Sequence, residues 1–251
     1  MFPLPYPTPL NWILHVLFGL EIALLAGGLI LGKPNEEQTG RLPRGLRMLL
    51  SAILTVAALL GWQGGATGTP VQWYATFIFL GMAAGSVGDW IMAGLIPVPQ
   101  RLIGGMAAFG LGHLFYIAAL LNLTIRSGRG STCTSIVAVA VMLSLSAWAW
   151  NAHVHNPDRS KLINVGSLIY GLLIGVMCAL AITVAVCDTH YVALAAGSLL
   201  FLTSDFILGN WMIRGHVWKC VNDAIWVTYV CGQLLIVYSV AAALNTTPSG
   251  V

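Results

Sequence analysis

The sequence predicts an all-α, polytopic membrane protein with eight transmembrane helices. Of its 251 residues, 58% are hydrophobic and only 8% are charged, whereas about a quarter of the residues in soluble domains carry a charge. The chain also contains eight stretches of about 20 mostly apolar residues, which is the length needed to cross the hydrocarbon core. Its nine tryptophans lie near the ends of these stretches, where their amphipathic rings favour the membrane interface.

The predicted helices follow one another closely along the chain. They cover residues 10–31, 44–62, 72–94, 101–122, 131–150, 162–186, 191–212 and 221–243. In chain order, the tryptophans that mark their ends are Trp12, Trp62, Trp73, Trp90, Trp148, Trp150, Trp211, Trp218 and Trp226. The helices and their connections use nearly all of residues 1–251, so we expect a single transmembrane domain without an appended soluble domain.

The basic residues predict the orientation of the chain. Nine of the eleven Lys and Arg residues lie in the first, third, fifth and seventh connections, whereas the fourth connection has only Arg126 and Arg129. Because basic loops stay in the cytoplasm, we expect the odd-numbered connections inside and both termini outside. The charges are scattered over short loops and form no basic stripe, so we expect no nucleic-acid partner.

Only three carboxylates lie well inside predicted helices, namely Glu21, Asp89 and Asp205. An ionisable group in the membrane costs at least a few kcal/mol, which makes each of them a functional candidate. From the rise of a helix, Asp89 lies about 8 Å and Asp205 about 10 Å from the cytoplasmic end of its helix. The alternative is a structural hydrogen bond to a neighbouring helix, but the shared depth predicts one site in the cytoplasmic half of the membrane.

Other polar side chains are predicted around this pair. His113 and Gln233 each lie about 18 Å from the start of their helices, and we expect them to line the deeper part of the same cavity. Tyr116 and Tyr229 lie one turn away from them on the same helix faces. These four side chains and Glu21 are candidates for orienting substrate or water, although Glu21 could instead be protonated and hydrogen-bonded.

The two aspartate helices also suggest an internal repeat. The segment "GDWIM" is followed by "GHLFY" in the next helix, as "SDFIL" is followed by "GQLLI". Helices four apart run in the same direction, so this pattern suggests a parallel 4+4 repeat about an axis along the membrane normal. Such a repeat would bring Asp89 and Asp205 face to face.

Four motifs carry a resemblance to a known family: "GSVGDWIM", "AFGLGHLFYIAAL", "LLFLTSDFIL" and "TYVCGQLLIVY". In this order, and from about the second helix to the eighth, the chain resembles the YhhN family of integral membrane proteins. The resemblance implies a lysoplasmalogenase, which cleaves the vinyl ether bond of a lysoplasmalogen to a fatty aldehyde and glycerophosphoethanolamine or glycerophosphocholine. It also implies that Asp89 and Asp205 are catalytic.

This chemistry suits a pair of buried carboxylates. Vinyl ether hydrolysis requires a proton on the carbon remote from the ether oxygen and stabilisation of the resulting oxocarbenium ion. Two carboxylates in a low-dielectric cavity do not both ionise easily, so one can donate the proton while the other stabilises the cation. We expect no metal and no cofactor, and the sequence leaves open which aspartate is the acid.

Two alternative functions agree less well with the sequence. A proton-coupled membrane transporter would use the same acidic residues, but it would need a path to the outer face. A zinc hydrolase is disfavoured because His15 and His113 are the only histidines within helices. We expect a lysophospholipid substrate whose phosphate is held by the basic cytoplasmic connections, whereas the oligomeric state is not predicted.

Overall fold

The computed structural model describes residues 5–127 and 132–246, and these residues form eight long helices and no strand. The helices are α1 Thr8–Leu31, α2 Arg44–Gly61, α3 Gln72–Met92, α4 Arg101–Ser127, α5 Thr132–His153, α6 Lys161–Cys187, α7 Val192–Gly209 and α8 Val221–Thr246. All eight are long and apolar enough to cross a membrane. The prediction of an all-α integral membrane protein with eight spanning helices is therefore confirmed, while Arg129 lies outside the described residues.

Two helices continue into wider turns at their carboxyl ends. α2 is extended by the π-helical turn Trp62–Ala66, and α7 by the π-helical turn Asn210–Arg214. The second turn stops at Gly215, whose φ of 85° is a left-handed conformation that glycine adopts without steric cost. The predicted ends of these helices fall within the turns, so the apolar length located each boundary to within a few residues.

α6 and α8 are the central helices of the bundle. More than half of each of their spanning segments is buried, whereas less than a fifth of α1 and of α5 is buried. α3 packs mainly against α4, α5 against α6, and α7 against α8, while α6 also contacts α4 and α7. α2 packs between α1 and α3 and contacts α8. Side chains on α6 and α8 can therefore reach carboxylates on their neighbours.

Glycines allow two of these helix pairs to approach closely. A Cβ atom at Gly112 in α4 would lie 2.9 Å from the carbonyl oxygen of Gly81 in α3. A Cβ atom at Gly232 in α8 would lie 2.8 Å from the carbonyl oxygen of Gly197 in α7. Each clash would be with backbone, which cannot move aside as a side chain can. Small residues at these positions therefore permit the close packing seen in membrane bundles.

At one end of the bundle, the α1–α2 connection is bound to the start of α8. The Asp223 carboxylate accepts hydrogen bonds from the backbone nitrogen of Arg41 at 2.7 Å, from Arg41 Nε at 3.0 Å and from the Leu42 nitrogen at 3.4 Å. The hydrogen bond from Arg41 to Asp223 raises the pKa of Arg41 above its ordinary value, so the guanidinium stays charged. The Asn222 nitrogen also donates to the Thr39 carbonyl at 2.7 Å.

At the same end, the α5–α6 connection holds the extension of α7. Asn156 Nδ2 donates to the Ile213 carbonyl at 2.8 Å, and Arg159 donates to the Met212 carbonyl at 3.2 Å. Asn210 Nδ2 donates in return to the His153 carbonyl at 2.7 Å. Since α7 carries Asp205, these bonds fix the end of the helix that positions one of the two predicted catalytic groups.

The close glycine contacts make a prediction about stability. We expect Gly112→Ala and Gly232→Ala each to lower the free energy of unfolding by about 1–3 kcal/mol, because the added methyl group meets backbone. The measurement is the thermal unfolding midpoint of the purified protein in detergent. Gly19→Ala in α1 is the matched control, since nothing lies within 4 Å of a Cβ atom there. Equal midpoints for all three variants would contradict the proposed role of the contacts.

Candidate active site

Asp89 lies near the carboxyl end of α3 and is held by hydroxyl groups from two other helices. Its Oδ2 atom accepts hydrogen bonds from Ser51 Oγ in α2 at 2.6 Å and from the Tyr229 hydroxyl in α8 at 2.7 Å. The Ser86 and Ser51 hydroxyl oxygens are 2.8 Å apart, and those of Ser86 and Thr55 are 2.6 Å apart. Within the described residues, the Oδ1 atom of Asp89 accepts no hydrogen bond, so one carboxylate oxygen is fixed and the other is uncommitted.

Asp205 lies near the carboxyl end of α7 and is held by a tyrosine from α6. The Tyr170 hydroxyl donates to Asp205 Oδ2. His113 Nε2 lies 3.3 Å from the Tyr170 hydroxyl oxygen and 3.7 Å from Asp205 Oδ2. Because Tyr170 gives its single proton to the aspartate, its oxygen is left as an acceptor that faces His113 Nε2. The three groups form a chain of hydrogen bonds that ends on Asp205.

The two aspartates line the same cavity, which has a volume of about 180 Å³. Tyr229 and Ser204 are also in its wall, together with Arg47 from the start of α2. The predicted meeting of Asp89 and Asp205 at one place is therefore found in the structure. Each aspartate enters the cavity with one oxygen held by a tyrosine, which restricts how the carboxylate can rotate.

The four predicted orienting residues are placed differently from one another. Tyr229 binds Asp89 and lines the cavity. His113 and Gln233 do not line the cavity, so the expectation from their depth is wrong on this point. The Tyr170 hydroxyl stands between His113 and the aspartate, and Gln233 Oε1 instead accepts a hydrogen bond of 2.7 Å from the Tyr116 hydroxyl. The buried Tyr116 and Gln233 therefore bind each other, and neither contacts an aspartate.

Glu21 is not brought to the aspartates. It is fully buried in α1, and neither of its carboxylate oxygens has a hydrogen-bond partner among the described residues. It is not in the wall of the aspartate cavity. The structure thus leaves Glu21 apart from the site for which the sequence made it a candidate.

The second cavity lies among α4, α5, α6 and α7 and has a volume of about 410 Å³. Its wall is mostly apolar, and Asp205 and Tyr170 form a polar edge. Along α6 it extends as far as Ile174, about 20 Å from the start of the helix. Trp148 and Leu199 are exposed on the outside of the bundle and also line it, so the cavity opens towards the surrounding lipid. Asp205 lies in the wall of both cavities.

Sequence reasoning missed two residues that contact the aspartates. Ser51 has little sequence signal, because a serine in an apolar helix commonly bonds to its own backbone. Tyr170 had a usable signal, since it lies about 14 Å inside α6, deeper than tyrosines that belong to a membrane interface. No group of three or more His, Cys, Asp or Glu side chains able to hold a metal occurs in residues 5–127 and 132–246. The polar groups in the wall of the aspartate cavity include carboxyls, hydroxyls, one amide and one guanidinium.

Comparison with protein-family models gives one match, to the YhhN family, over residues 44–240. This range covers most of the chain and includes both aspartates, the tyrosines that hold them and the walls of both cavities. It does not include α1, and therefore not Glu21. Comparisons with curated proteins and with solved structures give no match.

The buried pair of Tyr116 and Gln233 allows a test of its structural role. We expect Tyr116→Phe to lower the free energy of unfolding by about 1–3 kcal/mol, because it leaves the Gln233 carbonyl oxygen buried without its donor. Gln233→Leu should have a comparable cost. The double variant should cost clearly less than the sum, since it removes both polar groups together. Thermal midpoints in detergent measure all three, and strict additivity would mean that the two side chains are not coupled.

Proposed function

The chain belongs to the YhhN family, and we propose on that premise that it is a membrane-embedded hydrolase that cleaves the vinyl ether bond of lysoplasmalogens. The products are a fatty aldehyde and glycerophosphoethanolamine or glycerophosphocholine. The observation that carries the proposal is the position of Asp205, which lies beside Asp89 in the aspartate cavity and also borders the second, mostly apolar cavity. To cleave a single-chain lipid at its ether bond, an enzyme needs acidic groups at the point where the polar and apolar parts of the lipid join.

The two cavities suggest how the substrate lies. A hydrocarbon chain suits the apolar cavity, which a lipid can enter sideways past Trp148 and Leu199. The headgroup then extends into the aspartate cavity, and the ether bond between the headgroup and the chain lies beside Asp205. With the basic connections in the cytoplasm, both termini face outward and the active site lies in the cytoplasmic half of the membrane.

The position of Asp205 also suggests which aspartate is the acid. The carbon that must be protonated lies on the chain side of the ether, and Asp205 is the aspartate that borders the chain cavity. We therefore assign the general acid to Asp205. Asp89, which accepts two hydroxyl hydrogen bonds, is then the ionised group that stabilises the oxocarbenium ion. Tyr170 and Tyr229 position the two carboxyl groups and do not themselves react.

The remaining steps return both aspartates to their starting states. Water attacks the oxocarbenium carbon and gives one proton to Asp89. This step forms a hemiacetal. Asp89 then protonates the departing glycerol oxygen, and the hemiacetal hydroxyl gives its proton to Asp205 as the carbon–oxygen bond breaks. The net reaction adds one water molecule, so the pair needs no cofactor and no metal in this scheme.

The packing on the other side of the aspartates disfavours the transporter alternative. Met82 and Ile78 precede Asp89 in α3 and lie on the side of the opposite end of the bundle. Phe201 precedes Asp205 in α7 and lies on the same side. All three are large apolar side chains with no more than 1% exposure. A carrier would need a continuous polar path past these side chains, whereas the buried Tyr116 and Gln233 of this region bind each other.

The central prediction concerns the two aspartates. We expect Asp89→Asn and Asp205→Asn each to reduce turnover of a lysoplasmalogen by about 100-fold to 10,000-fold, because acid–base catalysis typically contributes this much. Aldehyde release by the purified protein in detergent is the measurement, and the saturated ether analogue is the control substrate. In D₂O the aldehyde should carry one deuterium on the carbon next to the carbonyl. A folded wild-type protein that releases no aldehyde would contradict the assigned reaction.

A second prediction concerns the chain cavity. Gly171 lines it, and nothing lies within 4 Å of a Cβ atom built there. We expect Gly171→Leu to fill space that the chain would occupy and to shift the preference in kcat/KM towards shorter alkenyl chains by about 10-fold or more, since each excluded methylene loses about 0.8 kcal/mol of burial. Gly27→Leu in α1, where a Cβ atom also has open space, is the matched control. An unchanged chain-length preference would show that the chain binds elsewhere.

A further inference from the structure

Arg47 is a cation in the wall of the aspartate cavity, and only part of its hydrogen-bond donors have an acceptor. The group lies over the ring of Trp226, 5.5 Å from its centroid, and donates one hydrogen bond of 3.4 Å to Asn222 Oδ1. Its Nε atom is buried and has no hydrogen-bond partner among the described residues. A buried donor on a charged group normally has an acceptor, so the described side chains leave part of the donor capacity of this guanidinium unused.

The carboxylates that act on the charge of Arg47 accept their hydrogen bonds from other donors. Asp89 and Asp223 both interact with it electrostatically, but Asp89 is held by Ser51 and Tyr229. Asp223 is held by side-chain and backbone donors of the α1–α2 connection. In the part of the chain that the structure describes, Arg47 therefore forms no ion pair. The charge is positioned by an aromatic ring and an amide, which leaves its remaining donors available to a ligand.

We infer that Arg47, held by Trp226 and Asn222, binds the phosphodiester group of the substrate, an inference that rests on the proposed function. The planar guanidinium presents paired donors that match two phosphate oxygens. Stacking on Trp226 orients this fork before the ligand arrives, which reduces the entropy lost on binding.

The position of Arg47 agrees with the chemistry of a lysophospholipid. It lies in the first turn of α2, at the end of the bundle where the basic connections meet, whereas Asp89 and Asp205 lie further in. A phosphodiester at Arg47 places the glycerol between the phosphate and the aspartates, and the chain then continues past Asp205 into the apolar cavity. Arg47 thereby distinguishes lysophospholipids from neutral ether glycerolipids that carry no phosphate.

The test compares two substrates that share the alkenyl chain and the glycerol and differ in the phosphate-bearing headgroup. Values of kcat/KM are measured for wild type, Arg47→Gln and Arg47→Lys on a lysoplasmalogen and on the corresponding 1-alkenylglycerol. We expect Arg47→Gln to lower kcat/KM by about 30-fold to 100-fold for the lysoplasmalogen and by less than 3-fold for the alkenylglycerol. The larger effect corresponds to the loss of a charged hydrogen-bonding partner. Arg47→Lys should recover part of this loss, because it keeps the charge without the paired donors.

Arg44→Gln is the matched control on the same helix. Arg44 is exposed and is not in the wall of the cavity, so its variant should retain wild-type discrimination between the two substrates. An equal loss for Arg47→Gln on both substrates would overturn the inference, since Arg47 would then support Asp89 or the fold and not the phosphate.

A binding experiment separates this inference from the proposed reaction. Titration calorimetry in detergent with a saturated 1-alkyl lysophospholipid and with 1-alkylglycerol needs no turnover. Tighter binding of the phosphate-bearing ligand to wild type, lost in Arg47→Gln, would support the site even if no aldehyde forms. Inorganic phosphate serves as the competitor. Displacement of the lysophospholipid by inorganic phosphate at the same concentration would overturn the assignment to a lipid headgroup.

Discussion

Two carboxylates buried in a bundle that crosses hydrocarbon are the constraint on which the rest of the structure depends. Each ionisable group costs several kcal/mol in the membrane unless neighbouring helices provide partners. Asp89 receives the hydroxyl of Tyr229 from α8, and Asp205 receives the hydroxyl of Tyr170 from α6. These are also the two most buried helices. The helices whose tyrosines donate to the aspartates are thus the helices around which the others pack.

Much of this fold was predictable because it depends on properties that run along the chain. Apolar length and the rarity of charge located the eight helices and singled out Asp89 and Asp205. The contacts of Ser51 and Tyr170 were not predictable, since they cross between helices far apart in sequence. Thr183 shows the difficulty, because its hydroxyl bonds to the carbonyl of Ala179 in its own helix. A hydroxyl that binds its own backbone and one that binds a distant carboxylate look alike in a sequence.

The rise of a helix gives the depth of a residue but not its neighbours. His113 and Gln233 have the predicted equal depth, yet one approaches Asp205 through Tyr170 and the other pairs with Tyr116. Which side chain stands between two others depends on how each helix is rotated about its axis. Tyr170 lies between His113 and Asp205, and a neutral side chain of this kind does not stand out when only charged residues are considered.

The parallel repeat stays a prediction, but the glycine contacts agree with it. Gly81 and Gly197 each lie eight residues before the aspartate of their helix, and each is touched by a glycine of the following helix, Gly112 or Gly232. The backbone packing around the two aspartates is therefore similar, while the side chains attached to it differ. Asp89 is surrounded by hydroxyl donors, whereas Asp205 has the tyrosine and histidine chain and an apolar cavity beside it. Similar backbones thus place the two carboxyl groups in different surroundings, and the proposed division into an acid and its ionised partner depends on this difference.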